Sequence, residues 1–369
     1  MVVDFESSAR TVAATIRQCR RLLRLERQSP LAWTEPSLVI RGFLSERRWL
    51  YPGLTSDYRA FISDVEMKHL IFRLNPRVVR RVLTDKLRFH HVLRERGLGG
   101  AHPDIVGVVE NGSLELLNET PTRGQFEGYI VKPRYGARGN GVRTARDLEV
   151  ALNVARSWSG SWIVQGQVSH GSWARALSPG ALPTIRMLTI RPTPRSSPFL
   201  AAAALRLGTR ATAPVDNFSA GGLVAGIDIA DGRLADAVQR PRTRSAVRFI
   251  RHPETGARIA GGAIPDWDAL TALALEAMRR FPDAVHVGWD LHPSDKGPVL
   301  IEGNAAPNLN IYQAHGSILR HERLWRFYRS HGLPMRPCAW RPLTRDQSRR
   351  DGSDASSTST GGGFGSSLE

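Results

Sequence analysis

Asp290, Glu302 and Asn304 are the first residues of this chain that invite a chemical reading. The last two close an apolar run, "VLIEGNAAPN" (299–308), with only Gly303 between them. In a strand, side chains i and i+2 share a face, so Glu302 and Asn304 point the same way. A carboxylate is rarely buried without a partner. Two oxygen-bearing side chains on one face form a donor set for a hard cation, most simply Mg2+. Taken alone, the pattern is better read as a strand fraying into a polar loop. The preceding "VHVGWDLHPSDKGPVLIEGN" shifts the balance. Its apolar runs, 285–291 and 299–301, flank a turn rich in Pro, Ser, Asp and Gly, as in a β-hairpin. Centring the hairpin near Lys296 is an assumption, and it sets Asp290 opposite Glu302. Mg2+ completes its shell with waters and substrate phosphates, so such a site calls for a phosphate cradle elsewhere.

"VKPRYGARGNGV" (131–142) could be that cradle. A strand ends in Lys132, and Gly136, Gly139 and Gly141 follow. Glycines let backbone N–H groups turn inward toward a polyphosphate, and a lysine reaches it as a point charge. The stretch is neither a Walker A sequence nor a dinucleotide fingerprint, and by itself an ordinary hairpin loop explains it. Only four of the 51 basic residues are lysine. Where arginine supplies nearly all the positive charge, a retained lysine marks a need for a compact ammonium.

The net charge of +17 raises nucleic-acid binding, but the arginines run along the whole chain without aromatic interleaving or zinc-finger spacing. That pattern reads as composition bias, with an anionic polymer or membrane surface as a secondary reading and no specific nucleic acid. Cys19 and Cys338 are far apart, which argues against a disulfide framework or a zinc site. The N-terminus has no continuous apolar h-region and no stretch reaches membrane-spanning length, so the expectation is a soluble, cytoplasmic protein. The chain of 369 residues, 41% hydrophobic, has room for two or three domains. Oligomeric state is not legible.

The elements that must hold these residues read as follows. Residues 8–27 form an amphipathic helix with Val12, Ile16, Cys19 and Leu23 on one face. Further helix, broken at Pro30, Pro36 and Pro52, continues to about residue 83. "LTDKLRFHHVLRERGLG" is a helix capped by Thr84 and stopped at Gly97. Strands are expected at 128–133, 161–168, 185–191, 199–207, 222–230, 285–291 and 298–303. Helices are expected at 146–158, 264–281 and 317–331. Trp289 belongs to the core, and His286 and His292 to the other face of the Asp290 strand or to its turn. After about 343 the chain lacks the apolar residues to fold.

The order Lys86, Lys132 before a glycine loop, "VQGQV", Asp290 and "EGN" resembles the ATP-grasp superfamily. "LPTIRMLTI", "LRLG", "VDNFSAGG", "HPETGARIAGGAIPDW" and "HVGWDLHPSDKGPVLIEGNAAPN" resemble its sugar-transfer-associated branch, related to α-L-glutamate-ligase-like proteins. The resemblance covers roughly residues 65–325. It implies an α+β chain: a helical N-terminal region (1–83), two α+β subdomains gripping ATP (84–165 and 166–342) and a disordered tail (343–369). It assigns Lys86 and Lys132 to the ATP phosphates and Gly136, Arg138, Gly139, Asn140 and Gly141 to a lid over them. Gln165, Gln167 and Val168 match the hinge strand whose backbone reads adenine. Many relatives carry glutamate where Gly166 stands, and His170 is a speculative substitute. Asp290, Glu302 and Asn304 match Mg2+ ligands. Arg186 and Arg206 would be cations near the transferred phosphoryl group, with Asp216, Asn217, Gly221 and Gly222 lining the same cleft. Read singly, each arginine is as well explained as a strand-edge residue.

The leading expectation is an ATP-dependent carboxylate–amine, or carboxylate–thiol, ligase that makes an acyl phosphate and ADP. Its carboxylate substrate and amine acceptor are not legible. A role in building a cell-envelope, polysaccharide or peptide-like metabolite fits the branch. A kinase acting on a sugar or lipid hydroxyl, or a non-catalytic nucleotide-binding partner, are the alternatives.

Overall fold

The computed structural model describes residues 5–117, 126–136, 139–178 and 180–333. Arg138, Cys338 and the tail from 343 onward lie outside these residues.

"SWIVQGQV", with Trp162, Ile163, Val164 and Val168 favouring extended backbone, forms β5 (Ser161–Val168), the central strand of a five-stranded antiparallel sheet ordered β2-β1-β5-β3-β4. Its neighbours are β1 (Ile105–Glu110) and β3 (Phe126–Pro133), with β2 (Ser113–Leu116) and β4 (Arg143–Ala145) at the edges. The helix Leu148–Arg156 covers one face. Asp147 caps that helix by accepting from Val150 N at 2.9 Å, and Ala151 and Ala155 pack on Val106, Val131 and Val164. On the other face Ile105, Val108 and Ile163 meet Leu87.

The larger sheet has seven antiparallel strands, ordered β10-β9-β8-β7-β6-β11-β12. They are β6 (Thr184–Ile190), β7 (Phe199–Leu207), β8 (Leu223–Ile227), β9 (Leu234–Gln239), β10 (Arg248–Phe249), β11 (His286–Ser294) and β12 (Gly297–Asn304). On one face Met187, Leu205, Ala225 and Trp289 pack beneath Leu270 and Ala274 of the helix Trp267–Arg280. On the other, Leu188, Ile190, Ala204 and Val224 meet Phe43, Leu50 and Phe61 from the N-terminal region and Phe327 from the helix Glu322–Ser330.

The N-terminal region therefore completes the second face of the large sheet. Asn75 makes the join specific. Its Oδ1 accepts from Val285 N (2.8 Å) and His286 N (3.2 Å), and its Nδ2 donates to the carbonyls of His286 (2.5 Å) and Ala305 (2.6 Å). Gln313 brackets Ile62 by accepting from its N–H at 2.7 Å and donating to its carbonyl at 3.0 Å. A buried amide that makes all its bonds fixes a docking geometry at little cost.

Two expectations are corrected, and a third gains its packing. The helix Lys86–Glu95 is capped by Asp85, which accepts from Leu87 N and Arg88 N, while the Thr84 hydroxyl turns back to the Arg80 carbonyl. His286 and His292 share the face of Asp290, because β11 pairs with β6 without a register shift and residues two apart alternate back to the same side. In the N-terminal helix Phe5–Arg27, the buried stripe is Leu22 and Glu26, whereas Ile16, Cys19 and Leu23 are exposed and the Val12 side chain lies outside the described residues. Glu26 sets that docking by accepting from Trp33 N (2.7 Å) and Ser45 N (3.0 Å). Periodicity reveals an apolar face but not which neighbour covers it. Among the described residues, no helix is long and apolar enough to cross a membrane.

Candidate functional site

β12 is the edge strand of the large sheet, and it lies beside the small sheet. His102 makes the crossing. Burial holds its imidazole neutral, at about 3. A neutral ring bonded to a carbonyl must donate to it, so Nδ1–H donates to Leu300 O at 2.8 Å. Nε2 is then the acceptor for the Gln165 side-chain amide at 3.1 Å, which also donates to Pro103 O at 2.7 Å. A lone histidine in the "GGAHPD" loop carries no sequence signal for this role.

Beside this crossing, Lys86, Lys132, Gly136, Gln165, Glu302 and Asn304 line one cleft. They come from four separate pieces of chain, and the sequence reading placed them together. Lys132 is the penultimate residue of β3 and only 8% exposed. Burial, then repulsion from Lys86, lowers its pKa from 10.5 to about 8. Burial also lowers Lys86, whose Nζ donates to Gly136 O at 3.2 Å. Lys86 is aimed by its neighbour: Asp85 binds Arg134 through both carboxylate oxygens at 2.8 Å, tying the helix start to the end of β3. Two ammonium groups with burial acting against their charge, and Glu302 as the acidic group acting on both, make a site that favours an anion.

The glycine loop beyond β3 needs its glycines. Gly136, Gly139 and Gly141 have φ of +131°, +71° and +78°, where a side chain would be strained. Gly139 also abuts Val215 so closely that a Cβ would come within 2.7 Å. The loop thus reaches from the small sheet to the segment of the large body that carries Asp216. Asn140 is exposed on the loop.

Asp290, Arg186, Arg206 and Asp216 form a second, adjoining cluster. The hairpin pairs Asp290 with Glu302, as expected, and Gly288 with Asn304, through a bulge that leaves Ile301 without a partner in the register. Arg186 holds both Asp290 oxygens, at 2.5 and 2.6 Å. Arg206 reaches Asp290 Oδ2 at 3.0 Å, Thr184 Oγ1 at 2.6 Å and Asp216 Oδ1 at 3.2 Å. Burial would raise Asp290, but the two guanidinium groups outweigh it and hold the pKa at about 2. Burial raises Asp216 against the opposing pull of Arg206, and Thr184 donates its hydroxyl to Asp216. Arg186 links the clusters, with Nη2 3.7 Å from Glu302 Oε1. The Asn304 amide donates to the same Oε1 at 3.3 Å. Tyr312, which the sequence reading missed, is buried beside Arg186 and Asp290.

The remaining candidates sit elsewhere. Asn217 caps the turn Phe218–Ala220, and a Cβ on Gly222 would press on the Asn217 and Leu207 carbonyls at 3.0 Å. Val168 is buried at the end of β5, and Gln167 is partly exposed one residue before it. His170 faces Glu127 at 3.8 Å. Trp289 is wholly buried, its indole donating to Thr189 Oγ1 at 2.8 Å.

Hard oxygen donors at Glu302 and Asn304, both partly exposed, fit a divalent cation. Asp290 fits by chemistry, with its oxygens also serving the arginines.

Two α+β bodies thus meet at a lysine-lined cleft. Residues 147–326 match the family described as sugar-transfer associated ATP-grasp. No curated protein matches the sequence. Among solved structures, the chain is similar to D-alanine–D-alanine ligase from Bacillus anthracis complexed with ATP. The identity is 14%, over 62% of this chain and 57% of that one, with a TM-score of 0.35. It is similar to L-amino acid ligase from Bacillus licheniformis at 14% identity, over 61% and 41%, TM-score 0.34. It is also similar to VanG D-Ala:D-Ser ligase from Enterococcus faecalis at 12% identity, over 67% and 62%, TM-score 0.38. The chain spans 57% and 41% of the length of the first two, and likenesses of this size carry no argument about activity.

Proposed function

We propose that the protein is an ATP-dependent ligase that joins a carboxylate to an amine or thiol through an acyl phosphate, releasing ADP. The observation that carries this reading is the convergence of Lys86 and Lys132 on the Glu302–Asn304 edge of β12, beneath a glycine loop. Two partly desolvated ammonium groups would hold the β- and γ-phosphates, with the loop's N–H groups closing over them. Glu302, Asn304 and Asp290 would hold Mg2+, which supplies charge neutralisation of the phosphates when bound. Arg186 and Arg206, anchored by Asp290, would present fixed positive charge to the phosphoryl group as the substrate carboxylate attacks it. The amine would then displace phosphate. Positioning and electrostatics suffice, and no side-chain nucleophile is required.

The lysine pair makes nucleotide binding pH-dependent. Lys132 carries its proton below about pH 8 and loses it above, while a bound polyphosphate would favour the charged form. Affinity for ATP should therefore be level well below pH 8 and fall as pH rises through it. Calorimetry in buffers of different ionisation enthalpy checks this, because binding near pH 8 should take up a proton. Pure proton release there would contradict the assignment.

The chemistry is tested by trapping. Incubation with ATP, Mg2+ and pools of amino acids, sugar acids and fatty acids, with hydroxylamine present, should yield ADP and a hydroxamate. ADP with a hydroxylamine-resistant phosphate ester would establish a kinase instead. AMP would contradict both, and with them the placing of the γ-phosphate between the lysines.

A further inference from the structure

The N-terminal helix leaves an apolar surface open. Cys19, Leu22, Leu23, Trp33, Val39 and Ile40 line a groove between that helix and the short helix Pro36–Ile40. Its rim protrudes into solvent: Ile40 is 87% exposed, Ile16 48% and Trp33 46%. Three stripes run side by side on the helical wheel, with the exposed Leu25 and partly buried Gln18 closing the circle between the last and the first. Leu22 and Glu26 face the body. Next to them run Cys19, Leu23 and Ile16, all exposed. Beyond those lie Arg17, Arg20, Arg21, Arg24 and Arg27, also exposed, with Arg41 at the groove's other wall. No acidic residue occurs between Glu6 and Glu26.

We propose that this face docks on an anionic lipid bilayer, with the helix in the interfacial plane and Ile16, Leu23, Trp33 and Ile40 entering the headgroup boundary. A helix with one apolar stripe flanked by an unbroken arginine stripe has the amphipathicity of an interfacial helix, and an exposed tryptophan and isoleucine beside it extend the same surface. Charge decides among occupants. A second copy packed antiparallel through this helix would set the five arginines against the same five, with no carboxylate on the helix between Glu6 and Glu26 to offset them. A nucleic acid would use the arginines but leave the apolar stripe in water. An anionic bilayer answers both stripes at once.

The test uses the full chain and vesicles of two compositions, phosphatidylcholine alone and equal parts phosphatidylcholine and phosphatidylglycerol. Sedimentation should show binding to the mixed vesicles, weakened at least about tenfold on neutral ones and by added salt. Ile40→Asp and the double change Arg20→Glu, Arg24→Glu should each lower binding about tenfold. Every altered side chain is exposed, so melting temperature and ATP affinity should hold, separating lost docking from misfolding. Equal binding to both vesicle types, or retention by either variant, overturns the proposal. So does a wild-type dimer that ignores vesicles and dissociates with Ile40→Asp, which assigns the face to a second copy. So does tighter binding to duplex DNA that Ile40→Asp leaves intact.

Discussion

Asp290→Asn should destabilise the protein by about 3–5 kcal/mol, the expected cost of removing one partner from a buried ion-pair cluster. The carboxylate is 1% exposed and answers Arg186 through both oxygens and Arg206 through one. An asparagine would turn an amide N–H toward one of these guanidinium groups and leave two buried cations short of an acceptor. The pH dependence identifies the cause. Asp290 is held at about 2, below the ordinary aspartate value of 3.8. A depressed carboxylate contributes its stability fully above the unfolded value and loses it as pH falls toward the folded one. The deficit of the variant should therefore be constant near neutrality and shrink between about pH 4 and pH 2. Urea melts at several pH values measure it. A deficit under about 1 kcal/mol at pH 7 would mean that the arginines find other partners. Pairing Asp290→Leu with Arg186→Met should recover part of the loss, since fewer charges are then left alone.

Lys132→Ala should lower turnover by roughly 10²–10³-fold, the usual effect of deleting one electrostatic group at a transferring phosphoryl centre. Lys132→Arg should be nearly as damaging, though it keeps the charge. The side chain is 8% exposed and shares the cleft with Lys86 and Gln165, where a planar guanidinium would need room that a compact ammonium does not. The alanine change should not weaken the fold at pH 7, because a lysine whose pKa is lowered by burial costs stability while charged, whereas the arginine keeps that cost and adds crowding. ADP release, read beside thermal melts, distinguishes the cases. Near-wild-type turnover in the arginine variant would show that any positive charge serves.

Those two residues divide what could be read from the chain and what could not. Lys132 was legible because its lysine stands out among arginines and precedes a glycine loop. The β5 strand was legible to the residue, since Trp162, Ile163, Val164 and Val168 favour extended backbone and the run is preceded by Gly160. The capture of Asp290 by Arg186 was not, because the pair is 104 positions apart and rests on β11 lying beside β6. His102 was invisible for the same reason, acting through a carbonyl 198 positions away. The N-terminal region read only as broken helix. Its contacts through Asn75, Gln313 and Ile62 depend on a partner sheet built from the far end of the chain, about which local periodicity carries no information.

The bulge at Ile301 places the carboxylate by arithmetic. In a hairpin closed by two residues, as Ser294 opposite Gly297 requires, strict pairing would bring Ile301 to Asp290 and send Glu302 to the side of Trp289. One unpaired residue reverses that parity for everything after it. An alignment that closes this single position would still look well conserved in letters, yet it would transfer the acidic role to an isoleucine. A one-residue deletion in the 299–301 stretch would likewise spare every functional side chain and turn the acid toward the tryptophan core. Comparisons with relatives should therefore be anchored on Asp290 and the turn separately, and the residues between them counted.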